Sequence, residues 1–281
     1  MTMDITLDRP GPARPVGVAE NQGASYLSAS GQVAARTLKK NVRTPALIVA
    51  GTAQGVLFLL IFRYVFGGAV AHLGNLSYVD FLVPGFVVTG VLFQGMGAAS
   101  GVADDLEGGL FDRLRSLPIR LLSIITGRVG ADSALVAWGV IVMTAVGFAV
   151  GFRVGGSTPD ALAALGLTIL YGFAFVWMFI FMGLAAGSPQ AAQGLSFLVF
   201  PLSFVSSAYV PVSTMPGWMQ GFATYQPVSV VVSACRCLMI GAKAANTGHS
   251  TSYWVIQALL WTVGLLILFI PIAIQRYRTR T

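Results

Sequence analysis

The sequence predicts an all-helical protein that crosses a membrane six times, and three observations carry that prediction. The chain is 56% hydrophobic over 281 residues with a mean hydropathy of +0.78, too apolar for a soluble domain of its size. Six stretches approach the roughly 20 apolar residues that a bilayer core requires: Pro45 to Phe62, Phe81 to Ala103, Ser133 to Phe152, Ala161 to Ala186, Ala191 to Ser213 and Tyr253 to Gln275, none with an Asp, Glu, Lys or Arg. The bases also sort by side. With both termini in the cytoplasm, thirteen of the 17 Lys and Arg fall on the inner side, and only Arg63, Arg153, Arg236 and Lys243 on the outer, as short basic loops require.

The elements follow in order. Residues 1–25 combine Pro, Gly and polar side chains without an apolar core segment, which predicts a disordered cytoplasmic tail and no signal peptide. Residues 26–44 place Leu27, Ala34, Leu38 and Val42 on one helical face and Arg36, Lys39, Lys40 and Arg43 on much of the other, the pattern of a helix lying in the headgroup layer. The transmembrane domain is expected over 45–275, with spans at about 45–66, 81–103, 129–152, 161–186, 191–213 and 253–275, and a cytoplasmic tail at 276–281. The last outer connection is the long one. Pro211, Pro216 and Pro227 break it, and Val228 to Ile240 is apolar yet too short to cross alone, which fits a re-entrant or interfacial helix pair. Glycines at helical spacing, Gly51 with Gly55, Gly97 with Gly101 and Gly183 with Gly187, predict close helix packing.

Candidates for chemistry are scarce. His72 and His249 lie in predicted outer loops without acidic or cysteine neighbours at ligand spacing, so no metal site is expected. Cys235 and Cys237 are too close for an ordinary bridge and read as small buried residues. No catalytic constellation is found, so the chain is not expected to be an enzyme. No span holds the ionisable group that ion-coupled transport needs. Arg128 and Asp132, four apart, can pair near the inner end of the third span. A phosphate-binding loop is missing too, since Lys39, Lys40 and Lys243 stand in no such context; any energy for transport has to come from another subunit. The net charge of +7 belongs to topology and lipid headgroups, and no nucleic-acid partner is expected.

One cytoplasmic segment stands apart. Asp104, Asp105, Glu107, Asp112, Arg113, Arg115 and Arg120 crowd into seventeen positions. Within them Leu106, Leu110, Leu114 and Leu117, with Phe111 alongside, form an apolar ridge on a short helix over 106–117, which Pro118 ends. Such a ridge with charged shoulders either lies on headgroups or plugs into a partner.

The segment DDLEGGLFDRLRSLPIRLL resembles the cytoplasmic coupling motif of type-2 ABC exporter permeases. PLSFVSSAYVPVSTMPGWMQGFATYQPVSVVVSACR is similar to that family's fifth span, broken outer hairpin and Gln/Asn-Pro-Val segment, most nearly those of the daunorubicin and doxorubicin resistance branch. The resemblance implies a coupling helix seated on a cytoplasmic ABC-type ATPase, with Glu107 and Gly108 at its entry, Leu106, Leu110, Phe111, Leu114 and Leu117 along its ridge, Arg113 and Arg115 on its basic shoulder, and Pro118 at its exit. Tyr26 to Arg43 matches the interfacial connecting helix, and Met215 to Thr224 with Val228 to Ile240 the re-entrant pair. The doublet Gly108–Gly109 departs from the pattern; glycines cost about 1 kcal/mol each in a helix interior, so the coupling helix can begin at Leu110. A second permease, identical or paralogous, is implied, as are ATP and Mg in the ATPase and no cofactor in this chain. Expected candidates for the substrate path are Phe93, Gln94, Ser203, Phe204, Ser206, Ser207 and Tyr209, each equally compatible with ordinary packing. The expected function is export of a drug, lipid or glycolipid across the cell membrane; export of a polysaccharide and a non-transporting scaffold or assembly role are the alternatives.

Overall fold

A computed structural model describes residues 25–43, 45–67, 76–110 and 121–279, and among them every regular element is helical. The order is α1 (Tyr26–Arg43), α2 (Pro45–Ile61, prolonged by a π turn over Phe62–Phe66), α3 (Tyr78–Glu107), α4 (Leu121–Ala149), α5 (Thr158–Ala185), α6 (Pro189–Phe197), α7 (Phe200–Phe204), α8 (Gly217–Tyr225), α9 (Pro227–Ile240), α10 (Ala242–Ala245) and α11 (Thr251–Thr279). Four of these helices, α3, α4, α5 and α11, are long and apolar enough to cross a membrane, or five if the bent pair α8–α9 counts as one span.

Local chemistry sets the starts. Ser77 and Ser157 cap α3 and α5 by accepting the amides of Asp80 at 3.2 Å and Asp160 at 3.3 Å, and each acid also sits favourably in the first turn of its helix. Ser188 caps α6 through the Ala191 amide at 3.2 Å. Gln226 precedes a proline, stays extended and accepts from the Val228 amide at 3.0 Å, so α8 and α9 meet at a 69° bend.

The predicted fifth span, 191–213, is not one helix. It divides into α6 and α7 and then runs irregularly past Ser206 and Ser207. Pro201, in the first turn of α7, withholds an amide at the break between α6 and α7. The Ser206 hydroxyl accepts from the Ala208 amide at 3.1 Å, and the Ser207 amide donates to Ser229 Oγ at 2.9 Å, so serine side chains take over bonds that a helix would make. Two boundaries also differ from expectation. α4 begins at Leu121, ahead of position 129, and α3 runs through Leu106 and Glu107, which were expected to open the coupling helix. Gly108, Gly109 and Leu110 are described, while Phe111, Arg113, Leu114, Arg115, Leu117 and Pro118 lie outside the described residues.

The core gathers on α3, α5 and α9. Phe86, Tyr171, Phe175, Phe179 and Trp254 are fully buried, with Tyr171 and Phe175 tilted at 4.6 Å between ring centres. α3 and α5 cross so closely that a β carbon at Gly183 would strike the backbone of Ala99. Backbone has no rotamer by which to escape. Gly183→Leu should therefore cost about 1–3 kcal/mol, read as a lowered thermal unfolding midpoint of the purified protein.

Candidate functional site

The last turn of α3 carries Asp104, Asp105 and Glu107 at a helix C-terminus, where the macrodipole disfavours negative charge. Bases from two other helices offset this. Lys40 Nζ of α1 lies 3.2 Å from Asp104 Oδ2 and 3.2 Å from Asp105 Oδ1. From α4, Arg128 Nη1 pairs with Asp105 Oδ2, while its Nε donates to Asp132 Oδ2 at 2.8 Å. Arg128 and Asp132 are buried, and the pairing expected from their four-residue spacing is present. Gly101 makes the approach possible, because a β carbon there would collide with the Arg128 guanidinium. α1 is fastened to α4 again where Tyr26 OH donates to Thr126 Oγ1 at 2.9 Å. Three helices are thus tied at the point where the chain leaves α3.

The exit itself is a tight turn. Gly108 N donates to Asp104 O at 2.9 Å and Gly109 N to Leu106 O at 3.1 Å, with Gly109 at φ +64°. A left-handed residue closes helices well and suits glycine. The doublet closes α3, and helical backbone is met again at Leu110, where the sequence allows the coupling helix to begin.

Desolvation opposes the charge on Lys40, but Asp105 and Asp104 outweigh it and raise its pKa above the ordinary lysine value. A raised pKa gives stability that is complete below lysine's ordinary value and is lost only as pH climbs through the shifted one. The side chain is 54% exposed, and solvent screens such a pair. Lys40→Met should accordingly cost less than about 1 kcal/mol at neutral pH, seen as a small change in unfolding midpoint that vanishes in strongly alkaline buffer.

Beside this junction a cavity of ≈ 480 Å³ opens between α1, α2, α3, α4 and α6, lined by Gln54, Phe93, Gln94, Arg128 and Gln193 among others. Gln94 Nε2 donates to Thr52 Oγ1 at 2.9 Å. Phe93 stacks on Phe58 at 6.0 Å and meets Phe200 edge-on at 5.3 Å. Two of the seven path candidates, Phe93 and Gln94, therefore border one cavity.

The other five sit elsewhere. Ser203 donates to Phe200 O at 2.8 Å and Ser206 to Ser203 O, so both are engaged in the break after α7. Tyr209 is buried against Phe86 at 4.8 Å and Phe62 at 5.1 Å; Phe204 is 38% exposed and reaches Tyr209 at 5.2 Å. Ser207 borders a second, smaller cavity at the opposite end of the bundle. Cys235 and Cys237 are free and buried.

Sequence reasoning missed two features. Lys40 and Asp105 join the Arg128–Asp132 pair from elements distant in sequence, and no spacing announces that. Arg236, counted as a loop base, is buried in α9; the signal was a lone charge within the apolar run Val228 to Ile240.

The model of the ABC-2 type transporter family matches residues 30–240, which takes in the tied junction, the cavity and the bent pair α8–α9. The daunorubicin resistance ABC transporter permease protein DrrB1 of Streptomyces coeruleorubidus is 30% identical over 238 residues, 84% of this chain and 81% of its own length. The probable doxorubicin resistance ABC transporter permease protein DrrC of Mycobacterium tuberculosis is 26% identical over 251 residues, 88% and 87% of the two chains. The inner membrane transport permease YadH of Escherichia coli is 25% identical over 219 residues, 76% and 78%. With a family match over most of its length and a relative at this level of identity, the chain belongs to the ABC-2 type transporter family.

Proposed function

We propose that this chain is the membrane permease of an ATP-driven exporter of hydrophobic or amphipathic compounds, working as a pair of permeases with two separate ATPase subunits. α2 and the broken α6–α7 supply the two passes beyond α3, α4, α5 and α11, and the junction end faces the cytoplasm, as the basic residues favour. The ATPase grips residues 106–117. The observation that carries this reading is the ion-pair junction of Lys40, Asp104, Asp105, Arg128 and Asp132. The end of α3 and the early turns of α4 flank the coupling segment, so a push on it loads α1, α3 and α4 together. The drug-resistance names of the relatives support the cargo class. So does the cavity, where Phe93 and the amides of Gln54, Gln94 and Gln193 adjoin the charged side chains of Lys40, Asp104, Arg128 and Asp132, a mixed lining that suits an amphipathic molecule.

The reading is tested by purifying the chain with its cytosolic ATPase, reconstituting both in lipid vesicles and following ATP turnover. An anthracycline or a long-chain lipid should raise turnover severalfold, and Gln94→Leu should change the concentration that gives half of that rise. Absence of any copurifying ATPase, or turnover blind to every amphipathic compound, overturns the proposal.

A further inference from the structure

At the end of the bundle remote from the junction, α9 brings a cation into the interior. Arg236 is 2% exposed. Its Nε and Nη2 donate to Phe81 O at 3.2 and 3.0 Å, and Nη2 also to Ser207 O at 2.9 Å. The guanidinium lies 3.8 Å from the centre of the Phe81 ring. These contacts satisfy donors without supplying negative charge, and none of the four ion pairs among the described residues involves Arg236. A buried cation without a counter-ion is costly.

Next to it is a cavity of ≈ 220 Å³ lined by Phe81, Ser207, Ser233, Arg236, Asn246 and Trp254 among others. The Ser207 hydroxyl is buried there with no hydrogen-bond partner. Thr247 Oγ1 accepts from Trp254 Nε1 at 2.9 Å, which fixes one wall, and exposed Ser213 and Asn246 form the rim.

We propose that this cavity holds the phosphate group of an anionic lipid headgroup from the adjoining leaflet. A guanidinium, the hydroxyls of Ser207 and Ser233 and the amide of Asn246 offer donors from several directions, which suits a tetrahedral group with several acceptor oxygens better than a planar carboxylate. One guanidinium matches the single charge of a phosphodiester. Phe81 and Trp254 give the lipid's glycerol region an apolar surface at the depth where aromatic side chains favour the membrane boundary. The site stands apart from the export reading and is measurable on the permease alone.

The full-length chain in phosphatidylcholine nanodiscs, with phosphatidylglycerol titrated in and retained lipid counted by native mass spectrometry, provides the test. The unaltered protein should retain phosphatidylglycerol over phosphatidylcholine, and Arg236→Gln should weaken that retention about tenfold or more, the loss of a charge-assisted bond. Asn246→Asp sets a negative charge at the rim without touching the Arg236 contacts to Phe81 and Ser207, so it decides the matter even if the first variant folds poorly. It too should lower retention severalfold. Displacement of the lipid by millimolar inorganic phosphate would keep the phosphate site and assign it to the soluble ion. Equal retention of the two lipids by the unaltered protein, or undiminished preference in Asn246→Asp, overturns the proposal.

Discussion

Replacing Arg128 by methionine is expected to destabilise the protein by about 3–5 kcal/mol, the cost of removing one member of a buried ion pair. Methionine fills much of the same space, so the loss is electrostatic: among the described residues Asp132 loses its ion-pair partner and Asp105 retains Lys40. Thermal unfolding in detergent reads it directly. The double variant Arg128→Met with Asp132→Leu should recover much of the midpoint, because deleting both charges removes the uncompensated one. If the single variant unfolds like the unaltered protein, Arg128 is not a keystone of the junction. On the proposed mechanism the double variant stays folded while ATP turnover loses its response to cargo, which separates holding the helices from coupling them.

The second large effect concerns the leucine ridge. Leu110→Asp with Leu114→Asp puts two carboxylates where an apolar partner groove is proposed, and each desolvated charge costs several kcal/mol. Copurification of the ATPase should fall below detection while membrane insertion, followed by fractionation, is unchanged. Arg113→Glu should give a milder defect that grows at low salt and fades at high salt, as screened charge pairs do. Full copurification of the double leucine variant would remove the ridge from the account.

Much of the fold was legible because the bilayer imposes simple demands. Long runs such as Tyr253 to Gln275 admit only a helix, whereas the caps of α3 and α5, Ser77 and Ser157, came to light only with the structure. Breaks were harder to read. Between Ala191 and Ser213 hydropathy stays high while Pro201 and the serines at 203, 206 and 207 divert the backbone, a signal carried by hydrogen-bonding chemistry and not by apolar content. The site was legible only in part. Spacing on one helix gave Arg128 with Asp132, but Lys40, Asp104 and Asp105 converge through packing of separate elements. Arg236 escaped because side was assigned by counting charges, and a count does not distinguish a base that meets water from one that bonds the carbonyls of Phe81 and Ser207.

The close crossing of α3 and α5 has a mechanical consequence. With Gly183 against Ala99 and Gly95 against Phe179, the two helices leave no room between them for a side chain to yield, so they translate as one keel. On the proposed mechanism a push delivered at the end of α3 therefore carries α5 with it, and the force reaches the middle of the bundle without a slipping joint.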